Sequence, residues 1–73
     1  MEQRILNVLK ETFELEAVDT SCSQENCEAW DSMGSLNLAV ELEMEFGVSL
    51  TPQEIASIHS YADILNLLES KGV

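Results

Sequence analysis

Positive charge is what this sequence has least of. Arg4, Lys10 and Lys71 are its only basic side chains against fourteen acidic ones, a net charge of −11 over 73 residues. So acidic a surface repels the phosphates of nucleic acids and the headgroups of anionic membranes, which excludes nucleic-acid partners and favours basic patches on other proteins. From Glu11 to Ser70 there is no Lys or Arg at all, and the resulting self-repulsion works against a small core. Histidine is equally scarce, since His59 stands alone. With no second histidine, any serine here lacks a partner base, which argues against an enzyme. Cys22 and Cys27 could join His59 as zinc ligands, but a structural site takes four ligands and the C-x-x-C spacing is missing, so no metal is expected. A calcium loop starting at Asp19, with Ser21 and Ser23 following, fails as well: it has no glycine at its sixth place and Trp30 where the last glutamate is needed. Also missing are an apolar run of membrane-spanning length and, at Met1-Glu2-Gln3-Arg4, the basic-then-apolar start of a secretory signal. The expectation is a cytoplasmic protein without membrane insertion, whose two cysteines are free thiols. No segment alternates with period two for long enough to form a strand.

An apolar fraction of 45% suffices for a folded globule despite the charge. Residues 1–73 are expected to form one domain, with little room for an enclosed active site because a chain of this size buries only about 60% of its unfolded surface. Ile5, Val8, Leu9 and Phe13 mark one face of a helix from Glu2 to about Leu15. A polar loop from Glu16 to Trp30 follows, with Val18, Ala29 and Trp30 as its only anchors to a core; loops this long are often functional. Periodicity resumes with Met33, Leu36, Ala39, Leu42 and Phe46, and Gly47 stands where a helix C-terminus favours glycine. Asn37, Glu41 and Glu45 lie on the other side of this second helix, while Leu38, Val40 and Met44 widen its apolar surface enough that some should stay exposed. Thr51-Pro52-Gln53-Glu54 starts a short helix running to about Ile58. Ser60 and Asp63 cap a last helix whose apolar face is Ile64, Leu65, Leu67 and Leu68. The predicted architecture is all-α, a small four-helix bundle of three main helices and one short one.

The densest information lies in Trp30-Asp31-Ser32-Met33-Gly34-Ser35, where the long loop turns into the second helix. A serine at that junction shows its hydroxyl, and the positive end of the helix favours an anion beside it, although Ser and Asp are also ordinary helix caps. Met33 reads most simply as core, Trp30 as the packing centre of the loop, and His59 as an exposed or capping residue.

Asp31-Ser32-Met33, followed fourteen residues after the serine by Phe46, with Leu36, Leu38, Leu42 and Glu43-Met44-Glu45 between, resembles the acyl carrier protein family. The likeness runs over nearly the whole chain, through the first helix, the long loop, the Pro52-Gln53-Glu54 helix and the last helix. It implies that Ser32 carries a 4′-phosphopantetheine arm whose thiol holds cargo as a thioester and that Asp31 is presented to the phosphopantetheinyl transferase that attaches it; for Met33 the functional alternative to a core role is that it flanks the mouth into which an acyl chain tucks. The function it implies is an acyl carrier for fatty-acid, lipid or polyketide-type synthesis that does no chemistry itself. The alternatives are an aminoacyl carrier, since the motif of D-alanyl carriers also reads Asp-Ser-Met-Gly, and an unmodified acidic interaction module. Where fatty-acid carriers usually place acids on the outer face of the second helix, this chain has Gly34, Asn37 and Met44, leaving Glu41, Glu43 and Glu45. Val40 and Met44 then offer an apolar contact to dedicated acyl or aminoacyl ligases, transferases and synthases, which would dock basic patches on the three glutamates of a monomeric carrier.

Overall fold

The helices in chain order are α1 (Glu2–Thr12), α2 (Ser32–Phe46), α3 (Pro52–Ala56) and α4 (Tyr61–Ser70), seen in a computed structural model that describes residues 1–73. There is no strand, and an isolated antiparallel bridge joins Ser23 to Ser60. Helix α1 packs against α2 and α4, and α3 packs against α2. The all-α bundle of three longer helices and one short one is therefore present, and no helix is long and apolar enough to cross a membrane.

Local chemistry explains where the helices start and stop. At α3 the Thr51 hydroxyl accepts from the Glu54 N–H at 3.1 Å while the Glu54 carboxylate accepts from the Thr51 N–H at 2.9 Å, a complete capping box ahead of Pro52. The helix ends at Ala56, two residues before the expected Ile58. At α4 the Ser60 hydroxyl accepts from the Asp63 N–H at 3.2 Å, and Asp63 accepts from the His59 N–H at 3.0 Å. Gly47 ends α2 with a φ of 65°, which a glycine adopts without strain. Helix α1 stops at Thr12, short of the expected Leu15, because Glu14 turns left-handed with a φ of 53° and the Leu15 N–H closes on the Lys10 carbonyl at 2.9 Å.

The core corrects the sequence reading of α2. Leu38, Ala39, Leu42 and Phe46 are buried, whereas Leu36 is 57% and Met33 72% exposed, so neither is a core residue. The apolar residues ring this helix, and periodicity alone cannot choose its rotation. The loop differs too. Trp30 is buried and stacks on Phe13 with ring centroids 5.4 Å apart, but Ala29 is exposed and Val18 only half-buried. Cys22 and Cys27 take up the anchoring instead, buried as small hydrophobes. The loop is sewn to the α3–α4 junction by the Tyr61 N–H donating to the Cys22 carbonyl and the Gln24 N–H to the His59 carbonyl, each at 2.9 Å. Burying an aromatic of about 150–250 Å² contributes on the order of 4–6 kcal/mol before entropy is charged, so Trp30 is a large part of what so small a core supplies.

Candidate functional site

Ser32 is the first residue of α2, and Asp31 before it is the N-cap in extended backbone geometry. One Asp31 carboxylate oxygen accepts from the Gly34 N–H at 2.8 Å, and the Asp31 carbonyl accepts from the Ser35 N–H at 2.8 Å. The N–H groups of Ser32 and Met33 find no acceptor in the chain, and the exposed Ser32 hydroxyl makes no hydrogen bond within it. Two free donors and the positive helix end therefore surround an accessible hydroxyl.

Gly34 holds this arrangement close to the loop. A Cβ there would lie 2.2 Å from the Ala29 carbonyl oxygen and 3.0 Å from the Phe13 ring, so only glycine lets the first turn of α2 seat on the end of the loop. The residue is buried, which corrects the sequence reading that placed Gly34 on the outer face of the helix.

Beside Ser32 an open cleft of about 670 Å³ runs between α2 and α3, with Leu36, Ile55, Ala56 and Ile58 among its lining and no carboxylate in it. Gln24 reaches across it from the long loop: its carbonyl oxygen lies 2.8 Å from His59 Nδ1, and its amide donates to the Ser35 hydroxyl at 3.3 Å. Nothing local in the sequence pointed to Gln24, whose two partners lie 11 and 35 residues away. His59 is exposed as expected, though held by this bridge.

Met33 does not line the cleft and stands in solvent with Leu36, Val40 and Met44, three or four residues apart along one stripe of α2. Val40 is 52% and Met44 74% exposed. Asn37 and Glu41 are exposed beside them. The three glutamates differ from one another. Glu41 has no partner in the chain, but Glu45 is paired with Arg4 at 3.0 Å, and Arg4 also donates to the Glu45 carbonyl and lies over the Phe46 ring. Half-buried Glu43 accepts from the Leu50 N–H at 2.8 Å and so fastens the α2–α3 connection. Of these acids, Glu41 alone is wholly uncommitted.

An exposed hydroxyl flanked by free amide donors fits a serine-linked phosphodiester, with the cleft giving an attached group somewhere to lie. No curated protein gives a significant match to the chain. The model of the phosphopantetheine attachment site family matches residues 3–68, from the first turn of α1 into the last turn of α4. The chain therefore belongs to the phosphopantetheine attachment site family, whose members carry 4′-phosphopantetheine covalently on a serine.

Proposed function

We propose that residues 1–73 form a single monomeric carrier domain that bears its arm on Ser32 and holds acyl intermediates for fatty-acid, lipid or polyketide-type synthesis. The observation that carries this reading is the exposed Ser32 hydroxyl at the N-terminus of α2, between free amide donors and an adjoining apolar cleft. When attached, the arm supplies a thiol on which cargo is held as a thioester. The chain's own residues bind and orient. The Ser32 oxygen would bear the phosphodiester, to which the free N–H groups of Ser32 and Met33 would donate, and Asp31, which holds the first turn in place, would face the transferase. Leu36, Ile55 and Ile58 keep water from an apolar chain lying in the cleft. Leu36, Ile55, Ala56 and Ile58 give an acyl chain apolar surface to lie on, which is what favours acyl cargo in this reading.

A carrier of this kind works in the cytoplasm, catalyses nothing itself, and meets a phosphopantetheinyl transferase and then acyl ligases, transferases or synthases. Met33, Val40 and Met44 offer these partners an adaptable apolar stripe with Glu41 beside it, while Glu45 can serve only by exchanging Arg4 for a partner's cation. Incubation with coenzyme A and a carrier-type transferase should add one arm to the wild type and to Ser35→Ala, and none to Ser32→Ala. Should Ser32→Ala still be modified, Ser32 is not the attachment site.

A further inference from the structure

The loop between α1 and α2 holds both cysteines of the chain, and the carriage of an arm on Ser32 uses neither. Between them Ser23–Asn26 form a tight turn, in which the Asn26 N–H donates to the Ser23 carbonyl at 3.2 Å and the Asn26 side chain accepts from the Ser23 N–H at 3.0 Å. The turn folds the chain back on itself between the two cysteines. Cys22 and Cys27 line one cavity of about 250 Å³ together with Leu15, Ala17 and Val18, and each is 7% exposed. Their closeness has an electrostatic consequence, because the Cys22 thiol is pushed up to about 11, first by burial and then by Cys27 beside it. The backbone is tied on both sides of the turn, by the Tyr61 N–H on the Cys22 carbonyl at 2.9 Å and the Trp30 N–H on the Cys27 carbonyl at 3.0 Å.

We propose that Cys22 and Cys27 form a dithiol modification site that closes to an intraloop disulfide by exchange with a small-molecule disulfide. One of the two cysteines, as its thiolate, attacks one sulfur of the reagent and displaces a first thiolate. The other cysteine then loses its proton to solvent and attacks the protein sulfur of the mixed disulfide, and the second thiolate leaves. The two protein thiols are oxidised while one molecule of the reagent is reduced to two thiols. Closure ties the loop that leads into Trp30, and by linkage it favours the folded state by the same factor by which folding favours closure.

The test equilibrates the full chain with graded ratios of reduced and oxidised glutathione, once native and once in denaturant, and weighs the products. The native wild type should become a monomer lighter by two hydrogens, at a demand for oxidised glutathione at least about tenfold lower than the unfolded chain needs. Cys22→Ser and Cys27→Ser should each stop at one glutathione adduct. The idea is overturned if the native chain closes no more readily than the unfolded one, if the wild type retains stable glutathione adducts, or if only intermolecular dimers appear. The native-against-unfolded comparison uses the wild type alone and does not depend on whether the variants fold.

Discussion

The starts of α2 and α3 face the same physical problem and answer it differently. Every helix begins with amide donors that its own turns cannot satisfy. At α3, Thr51 and Glu54 satisfy two donors reciprocally, Pro52 removes another, and Lys71 lies 3.1 Å from the Glu54 carboxylate. At α2, Asp31 satisfies one donor through its side chain, and those of Ser32 and Met33 stay free. The difference traces to the third helical residue, which is Glu54 in α3 and Gly34 in α2. A glutamate reaches back to close the cap; the glycine has no side chain to do so, and the space a side chain would need is filled by the Ala29 carbonyl. One helix start is largely closed by its own chain, with only the Gln53 N–H left over, and the other keeps the Ser32 and Met33 donors free.

The largest break in that comparison should come from Gly34→Ala. Helix propensity alone would favour alanine by at most about 1 kcal/mol. The added Cβ meets a backbone oxygen at 2.2 Å, so the loop end or the first turn of α2 must shift, and such overpacking costs about 2–3 kcal/mol net. In a domain of this size that lowers the melting temperature by about 10–20 °C. Gln53→Ala, at the exposed second position of α3, should stay within about 0.5 kcal/mol of wild type. Thermal unfolding followed by circular dichroism decides the matter, and a Gly34→Ala protein that melts as high as wild type would show that the close approach of loop and helix is not required.

The same residue marks the boundary of what could be read from the sequence. Caps were legible because they act over three or four residues: Thr51 with Glu54, Ser60 with Asp63, and Gly47 after Phe46 all stand where they were expected. The rotation of α2 was not legible, because Leu36, Leu38, Val40, Leu42 and Met44 are apolar all round the helix. It is set by Gly34 seating on Ala29 and Phe13, a contact across the long loop that no local pattern encodes. The polar neighbours of Cys22 and Cys27 hid their burial for a similar reason, since it depends on hydrogen bonds to His59 and Tyr61 far along the chain. Ser32 was legible as a candidate site through the residues around it, whereas the bridge from Gln24 to His59 and Ser35 over the neighbouring cleft exists only in three dimensions.

Removing the caps themselves should sharpen the comparison at smaller scale. Asp31→Ala and Thr51→Ala each lose one side-chain acceptor at a helix N-terminus and should each lower stability by about 1 kcal/mol. Their effects on arm attachment should diverge. On the proposed attachment at Ser32, Asp31→Ala loosens the turn that carries this serine and removes the exposed carboxylate next to it, so its initial rate of modification should fall, while Thr51→Ala should be modified at the wild-type rate. Asp31→Asn, which keeps an acceptor for the Gly34 N–H, should recover most of the stability and only part of the rate. Equal slowing by Asp31→Ala and Thr51→Ala would mean that the two helix starts differ in shape but not in use.

The smallest effect concerns the closed helix start and appears only as pH is varied. Glu54 is held below the ordinary carboxylate range, first by the Thr51 N–H and then by Lys71. A carboxyl group lowered in the folded state contributes stability that is complete above its unfolded value and is lost as pH falls through the lowered folded one. Glu54→Gln keeps an oxygen for the Thr51 N–H but loses the charge that Lys71 and the helix end favour, so it should melt slightly below wild type at neutral pH. That gap should close on acidification, because protonated Glu54 and glutamine are then equivalent partners. Acidification also relieves the repulsion among the acidic side chains in both proteins, which moves both melting temperatures together; the difference between the two isolates Glu54. A gap that persists unchanged into acid would assign the effect of Glu54 to packing, and the charge of the capping box would then have no part in closing the start of α3.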